Sequence, residues 1–358
     1  MADDITLDGA AIVSSGADAA GTDAPREGRG APRGDRGRGR GGNDRRGPGE
    51  GSGGSYTGGT TINQGLVSIL ADGALGGASS GAITVASGAV LDLPGVLYTT
   101  VGGSLFLNAG SLSVSTGTSS FGGMLSLGST GGTVSVASAA SGSLSSIITG
   151  AGSLSSVGAG RLYIAGNNTF AGSLTIAAGT LTVLNSNALG GTLAGTKVNP
   201  GATLELSGGA SNLAIGAEAL SLFGTLKNVD GNNSFAGALT LGAATSILNA
   251  GGSLVLSGSL NTTASTYTLT MDGAANTTVT GAIGGAGGLV KTGAGLLTLL
   301  GTNVYSGSTT VSGGTLQLGV GSSQGTLVNN GTLSVASGAL LQINNTLSTV
   351  LSQAYGGG

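Results

Sequence analysis

The chain has 358 residues, of which 75 are glycine, and it contains no cysteine, histidine or tryptophan. These absences exclude disulfide bonds, Ser-His-Asp and Cys-His nucleophile systems and most zinc sites. Aromatic residues make up 3% and charged residues 8% of the sequence, with a formal net charge of -3. We therefore expect no conventional core built around large rings, and the charge gives no argument for a nucleic-acid or membrane partner.

Residues 1–55 form a distinct region, because eight of the twelve basic residues lie between Arg26 and Arg46. This stretch has too few apolar residues to offset the entropy of ordering it, so we expect a disordered Arg/Gly-rich leader or linker. An RNA-binding segment is the alternative, but four acids dilute the arginines and no aromatic residue lies among them. The first residues lack the basic and apolar segments of a signal peptide, so we expect an exported precursor to begin upstream.

From Tyr56 onward, short segments in which apolar and polar residues alternate are separated by Gly, Asn or Ser turns. This period of two predicts strands, and strands so short and closely spaced favour a parallel β-helix over a sandwich. We expect an all-β domain over residues 56–358, with on the order of thirteen coils and a length of roughly 60 Å at about 4.8 Å per coil. No run of apolar residues is long enough to predict a membrane span.

Two stretches, Gly150–Leu184 and Gly285–Gly319, share one pattern without a gap, and residues 231–241 repeat part of it. The copies are 135 and 65 residues apart, and we expect both spacings to be whole numbers of coils. The residues that define the pattern are Gly150, Gly160, Asn168, Phe170, Gly172, Asn233, Phe235, Gly237, Gly285, Lys291, Gly293, Gly295, Asn303, Tyr305, Gly307 and Gly314.

In each copy an aromatic residue follows an asparagine by two positions. We interpret these pairs as corners, in which the ring fills a bend and the asparagine satisfies backbone groups of the turn. An exposed aromatic stripe for sugar binding is the alternative. Lys291, in a glycine-rich turn without a phosphate-loop motif, is predicted to be a surface lysine.

The motif GAGGLVKTGAGLLTL, followed by GTNVYSG and TTVSGGTLQLG, closely resembles the passenger-associated transport repeat of bacterial autotransporters, also called the autotransporter-associated β-strand repeat. The resemblance covers most of residues 57–343. It implies a right-handed parallel β-helix that is displayed at the bacterial cell surface or released, with the repeat at 285–319 aiding folding and export. The implied partner is an outer-membrane β-barrel translocator, which we expect to lie outside this chain.

Asp92 and Glu205 occupy the place in a repeated strand phrase that Gln317 and Gln342 occupy elsewhere. We interpret this place as an outward polar position and not as a catalytic carboxylate. Asp230 and Asp272 stand in turn contexts, where aspartate commonly bonds nearby backbone. We predict no catalytic, cofactor-binding or metal site.

These observations together predict a non-enzymatic passenger or stalk with an adhesive or structural role. Its ligand would be another cell surface, a glycan or a second copy of the chain. The alternatives are a glycan-active β-helix enzyme, with Asp92, Glu205 or Arg161 in a charged cleft, and a transport module without a ligand. A flat threonine face for ice or crystal surfaces is disfavoured, because the Ser and Thr positions recur irregularly along the sequence.

Overall fold

The computed structural model describes residues 5–8, 11–13, 57–75, 81–98, 103–262, 266–322, 325–328, 331–346 and 355–357. These residues form forty strands and one single-turn 3-10 helix at Gly209–Ser211. Neighbouring strands come from successive coils of the chain and pair in parallel. The predicted all-β parallel β-helix is therefore confirmed. The Arg/Gly-rich stretch lies outside the described residues, and its disorder stays a prediction.

Each full coil contributes one segment to each of three faces, numbered here in chain order. Face 1 contains β1 (Ile5–Asp8), β3 (Thr60–Gln64), β5 (Ile83–Val85), β8 (Leu105–Leu107), β11 (Leu125–Leu127), β14 (Ile148–Gly150), β21 (Ala214–Ile215), β24 (Asn232–Phe235), β27 (Ser253–Leu256), β30 (Asn276–Val279), β33 (Leu296–Leu299), β36 (Thr315–Leu318) and β39 (Leu340–Ile343).

Face 2 contains β2 (Ala11–Val13), β4 (Leu66–Ile69), β6 (Val90–Asp92), β9 (Ser111–Val114), β12 (Gly132–Val136), β15 (Leu154–Val157), β17 (Leu174–Ile176), β19 (Thr196–Val198), β22 (Leu220–Leu222), β25 (Leu239–Leu241), β28 (Leu260–Asn261), β31 (Ile283–Gly284), β34 (Thr302–Asn303) and β37 (Thr326–Leu327). Face 3 contains β7 (Leu97–Tyr98), β10 (Thr118–Phe121), β13 (Ser141–Leu144), β16 (Arg161–Ile164), β18 (Thr180–Val183), β20 (Thr203–Ser207), β23 (Thr225–Asp230), β26 (Thr245–Asn249), β29 (Leu269–Asp272), β32 (Leu289–Lys291), β35 (Thr309–Val311), β38 (Leu333–Val335) and β40 (Tyr355–Gly357).

Two irregular segments continue face 1 between β14 and β21. The backbone amides of Thr169 and Ala171 donate to the carbonyls of Ile148 and Gly150 at 2.8 and 2.9 Å. One coil later, the amide of Gly191 donates to the carbonyl of Phe170 at 2.9 Å. These segments therefore occupy the positions of strands in the stack.

The core is a set of apolar columns inside the stack, because alternate side chains of every strand point inward. One such column consists of Leu162, Leu181, Leu204 and Leu226, which are paired from coil to coil and at most 1% exposed. Burying each of these side chains contributes about 1.5–3 kcal/mol. Coil length varies nevertheless: paired residues are 19 positions apart from Arg161 to Thr180 and 24 apart from Ser246 to Thr270.

The repeat copies do not all lie on the same face. Asn168 and Asn233 both lie on face 1, three coils apart, so the expectation for the 65-residue spacing is confirmed. Asn303 lies in β34 on face 2. The first copy starts at Gly150 in β14 on face 1, and the second starts at Gly285, directly after β31 on face 2. From β14 to β31 the chain advances by seventeen strands and the two irregular segments, which is nineteen face positions, or six coils and one further face. The expectation of a whole number of coils for the 135-residue spacing is therefore wrong.

The β-helix also extends into the region before residue 56. Ile5 pairs with Thr60, and Ala11 pairs with Val67. The segment ITLD has the same alternation as later strands, and ITLD and AIV add to faces 1 and 2 by parallel pairing. The boundary at residue 55 stays a prediction, but the described strands on its N-terminal side continue the solenoid.

Candidate binding surface

Face 3 carries a column of small hydroxyl side chains along most of its length. The column lies at one outward position of successive strands, about 4.8 Å apart, and nine of its eleven members are Ser or Thr. We call it the hydroxyl column; its members are Thr118, Ser141, Arg161, Thr180, Thr203, Thr225, Ser246, Thr270, Val290, Thr310 and Ser334. The sequence-based judgement that Ser and Thr recur too irregularly for a ladder was wrong, because unequal coil lengths hide the register.

A cluster of charged side chains lies on face 3, and one of its members, Arg161, interrupts the hydroxyl column. The Glu205 carboxylate accepts hydrogen bonds from Arg161, from Thr182 Oγ1 at 3.1 Å and from Lys227 Nζ at 2.9 Å. Burial acts to raise the pKa of Glu205, but the hydrogen bonds from the two cations outweigh it and hold the pKa below its ordinary value. The Glu205 side chain is only 4% exposed, against 36% for Arg161 and 29% for Lys227. Glu205 thus occupies an outward position, as predicted, but its neighbours cover it.

Asp272 is a fourth charged side chain at an outward position of face 3, two coils beyond Lys227. It accepts a hydrogen bond from Thr292 Oγ1 at 2.8 Å. Asp230 ends β23 at the corner toward face 1, where it accepts from the Gly209 amide at 3.0 Å. Both aspartates therefore bond neighbouring coils, and not only their own turns.

The carboxylates named as the enzymatic alternative are not brought together. Asp92 lies on face 2, where it accepts from the Ser115 amide at 3.1 Å and from Ser115 Oγ at 2.7 Å. Glu205 lies on face 3, five coils further along, which is about 24 Å along the axis. Among the described residues, no three Asp or Glu side chains are grouped so that they could hold a metal ion.

The asparagine of each corner links successive coils. Asn168 Oδ1 accepts from the Ile148 amide at 2.8 Å, and its Nδ2 donates to the Ala188 carbonyl at 2.6 Å. Asn303 Oδ1 accepts from the Ile283 amide at 3.0 Å, and its Nδ2 donates to the Thr326 carbonyl at 2.9 Å. Each side chain therefore satisfies backbone groups one coil before and one coil after its own.

The partial copy makes a related corner with a wider polar network. Asn233 Oδ1 accepts from the Leu213 amide at 2.6 Å, while its Nδ2 donates to Asn228 Oδ1 at 2.6 Å. The three aromatic rings of the copies, Phe170, Phe235 and Tyr305, are all 0% exposed. Buried rings cannot form the exposed sugar-binding stripe that was the alternative interpretation.

The glycine that follows each corner ring is required by close approach of the chain. A Cβ atom at Gly172 or Gly307 would lie 2.4 or 2.5 Å from the carbonyl carbon of the glycine one coil below, and at Gly237 it would lie 1.6 Å from the Glu218 carbonyl oxygen. Four further members of the pattern have left-handed backbone, with φ of 107° at Gly150, 104° at Gly285, 60° at Gly293 and 64° at Gly314. Gly293 and Gly314 also lie against the backbone of the coil below, as do Gly160 and Gly295.

The prediction of a surface position for Lys291 was wrong, because its side chain is 3% exposed. Its ammonium group donates to the Thr292 carbonyl, to the Gly293 carbonyl at 2.8 Å and to the Gly313 carbonyl at 3.3 Å. Burial lowers the pKa of Lys291, while Asp272 acts in the opposite direction. In the strand LVK, alternation places Lys291 on the same inward side as Leu289. This alternation was the sequence signal that could have predicted its burial.

Glu218 is a buried acid that sequence reasoning did not single out. It precedes Leu220 by two positions, as Gly172 precedes Leu174 and Gly237 precedes Leu239. It is 2% exposed, Thr196 Oγ1 donates to its Oε1 at 2.7 Å, and its Oε2 has no hydrogen-bond partner. Burial raises the pKa of Glu218, and the Thr196 hydrogen bond only partly offsets this. The place of a corner glycine is therefore taken here by an acid.

Comparison with known proteins gives a consistent result. Residues 51–69, 157–183 and 289–318 match the family described as Passenger-associated-transport-repeat. The last two matches fall within the sequence copies, and the first was not recognised as a copy. No solved structure gives a significant match.

One similar curated protein is the "Adhesin BmaC autotransporter" of Brucella suis biovar 1 (strain 1330). It is 29% identical over 310 residues, an alignment that covers 65% of this chain and 9% of the relative. The chain therefore spans less than one tenth of that relative. In the described part of the chain, no helix has the length and apolar character needed to cross a membrane.

Proposed function

We propose that this chain is a β-helical passenger domain of the autotransporter type and that it acts as an adhesive or structural rod at the bacterial surface. It would be displayed there or released. The hydroxyl column of face 3 carries the proposal, because it extends over eleven coils and presents hydrogen-bonding groups with little charge. The similarity to an adhesin supports the same role.

The repetition of the surface suits weak contacts made many times. Each hydroxyl can donate and accept one hydrogen bond at low desolvation cost, but a single bond contributes only about 1 kcal/mol. A rod that repeats the group every 4.8 Å or so can add such contacts along one ligand. Many rods displayed on one cell multiply these contacts further, since linked sites bind with a high effective concentration.

We further propose that an outer-membrane β-barrel translocator, supplied from outside this chain, exports the rod. Coils of a solenoid contact mainly their neighbours, so folding can propagate from one stable segment during export. Residues 285–319 are our candidate for that segment. Hydrogen exchange should place their amides among the slowest of the chain, and finding them among the fastest would remove this part of the proposal.

The adhesive role is tested with beads coated with the purified full chain. We expect them to attach to bacterial cells, to host cells or to one another more strongly than beads coated with an unrelated β-helix of similar net charge. Antibodies to the chain should also label intact producing cells without permeabilisation. Labelling without any attachment would favour the module without a ligand, and release of sugars from a glycan panel would favour the enzyme.

A further inference from the structure

Two shallow grooves lie next to each other near the middle of the rod. Groove A has a volume of about 270 Å³ and crosses β17, β19 and β22 of face 2; its side chains include Ser173, Thr175, Lys197 and Ser221. Groove B has a volume of about 360 Å³, begins at the corner before β23 and crosses β23, β26 and β29 of face 3; its side chains include Phe223, Thr225, Thr245, Ser246, Thr268 and Thr270. These volumes are close to the lower end of the range for small-molecule sites, about 300 Å³.

The walls of both grooves are rich in hydroxyl groups and contain no carboxylate. Thr245 in groove B is 5% exposed, and its Oγ1 has no hydrogen-bond partner in the protein. Leaving a buried hydroxyl unpaired costs free energy, so a ligand hydroxyl that reaches it is stabilised. Three other hydroxyls of groove B belong to the hydroxyl column: Thr225, Ser246 and Thr270.

Lys197 and Phe223 lie where the two grooves adjoin. Lys197 is an exposed residue of β19, and its Nζ lies 5.1 Å from the ring centre of the half-buried Phe223, one coil further along. The same ring contacts Gly242 of the following coil, where a Cβ atom would lie 2.1 Å from the ring Cε1. Three successive coils therefore place a cation and an aromatic ring side by side at the surface.

Lys197 is the cation that the described part of the chain leaves without a carboxylate partner. Arg161 and Lys227 both bond Glu205. Lys291 is buried and donates to backbone carbonyls. The charge of Lys197 is thus free to meet a negative group of a ligand.

Glu218 lies beside groove A, because it bonds the groove residue Thr196. Burial raises the pKa of Glu218. A raised pKa disfavours a negative charge at this point. An anion in groove A therefore meets less repulsion from Glu218 than it would from an exposed acid.

We propose that grooves A and B together bind an oligosaccharide with an anionic sugar, whose negative group lies on the Lys197 ammonium while a neighbouring sugar ring packs against Phe223. An ammonium forms charge-assisted hydrogen bonds with carboxylate or sulfate oxygens. The negative face of an aromatic ring attracts the polarised C–H groups of a sugar. The groove hydroxyls, which both donate and accept, match the hydroxyls of the sugars on either side.

The single cation narrows the class of ligand. A nucleic acid or another dense polyanion is bound through several cations, whereas one cation between hydroxyl-lined grooves suits one charged sugar among neutral groups. The inference deepens the proposed adhesive function by naming a ligand class, and it rests on that function for its biological setting.

A panel of immobilised carboxylated, sulfated and neutral oligosaccharides tests the ligand class with the purified full chain. Acidic members should bind about tenfold more tightly than neutral members of the same length, and their binding should weaken as salt is added. Comparison of the carboxylated with the sulfated members identifies the anion. The absence of any preference for acidic members would overturn the proposal.

Substitutions at the junction test the site. Lys197→Gln should weaken binding of acidic oligosaccharides by about tenfold, and Lys197→Arg should retain most of it. Phe223→Ala should weaken binding by about threefold to tenfold.

The matched control is Ser87→Asp, at an exposed turn four coils before groove A. It lowers the net charge by one unit, as Lys197→Gln does, and should leave binding unchanged. Circular dichroism checks that each variant is folded. Equal losses in Ser87→Asp and Lys197→Gln would reveal a general charge effect and contradict the site.

Cysteine protection locates the bound sugar, because the chain has no cysteine of its own. An acidic oligosaccharide should slow the reaction of maleimide with Ser221→Cys in groove A and with Ser246→Cys in groove B. Ser126→Cys, on face 1, should react at an unchanged rate. Protection in neither groove, or equal protection at Ser126→Cys, would overturn the assignment.

The bead assay separates this site from the adhesive function. Attachment to cells without binding to any acidic oligosaccharide would remove the site alone. Binding to acidic oligosaccharides without attachment would remove the adhesive function alone. Where both occur, the soluble acidic oligosaccharide should inhibit attachment, and beads coated with the Lys197→Gln variant should attach less.

Discussion

The two full copies of the repeat, Gly150–Leu184 and Gly285–Gly319, build the same unit on different faces. In the first copy the strands lie on faces 2 and 3 and the corner lies on face 1. In the second copy the strands lie on faces 3 and 1 and the corner lies on face 2. The corner asparagines nevertheless make the same two bonds, to the coil before and to the coil after. The repeat therefore specifies a length of coil with one corner, and not a face.

The copies also differ at one matched pair of positions, and the structure gives the reason. Tyr305 OH lies 2.5 Å from Thr309 Oγ1, and both side chains are buried. In the first copy Phe170 and Leu174 occupy these places. A ring with a hydroxyl is thus matched to a threonine, and a ring without one is matched to a leucine. This explains why Leu174 stands where the second copy has Thr309.

The largest expected effect comes from removing a corner ring. Phe170→Ala and Tyr305→Ala should each lower the free energy of unfolding by about 3–5 kcal/mol, because a buried ring leaves a cavity. The loss should be similar on the two faces if the corners are equivalent. Urea denaturation measures it. The neighbouring exposed residues provide controls, and Thr169→Ala and Val304→Ala should change stability by less than about 0.5 kcal/mol.

Removal of the corner asparagine should have the next largest effect. Asn168→Ala and Asn303→Ala each leave a buried amide and a buried carbonyl without this partner, which costs about 2–3 kcal/mol. The same denaturation experiment applies, with exposed Asn167→Ala as the control. A much smaller loss at one corner than at the other would contradict their equivalence.

A smaller effect should follow from exchanging the matched pairs. Tyr305→Phe removes the hydroxyl partner of Thr309 and should cost about 1–2 kcal/mol. Adding Thr309→Leu recreates the pair found in the first copy and should recover most of this loss. The double-mutant cycle measures the coupling. Additive losses would show that the two positions are not matched through this contact.

The smallest expected effect concerns Glu218, which replaces a corner glycine between the copies. Its raised pKa means that the folded chain keeps this proton to higher pH than the unfolded chain. The contribution of Glu218 to the free energy of unfolding is full below the unfolded-state pKa of about 4.3, and it is lost as pH rises through the folded-state pKa. Glu218→Gln stays neutral and keeps an acceptor for Thr196. It should be more stable than the wild type by about 1 kcal/mol at pH 8 and similar near pH 4.

Thermal unfolding at several pH values measures this difference. A matched comparison is Glu205→Gln, where the pKa is lowered and the sign is opposite. That variant should be less stable than the wild type at neutral pH, and the difference should shrink as pH falls through the folded pKa of Glu205. Parallel pH profiles for the two variants would contradict the assigned environments.

Several features were predictable from local pattern alone. Alternation at period two defined the strands, and the spacing of Asn168 from Phe170, repeated at Asn303 and Tyr305, marked the corners. The environments of the acidic residues were harder to predict. Asp92 and Glu205 were correctly given outward positions, but sequence shows only which side of a strand a residue takes. Whether neighbouring coils then cover it, as Arg161 and Lys227 cover Glu205, depends on side chains more than twenty residues away.

The sequence by itself determined the β-helical coil, its corners and its likeness to autotransporter passengers, because these follow from alternation, glycine placement and repetition within one coil. Only the tertiary structure decided which face each copy occupies, that Lys291 and Glu218 are buried, and that Ser and Thr align in one outward column on face 3. The physical reason is coil length. Because paired residues on face 3 are between 19 and 24 positions apart, the register between coils is set by strand pairing and not by a constant sequence period.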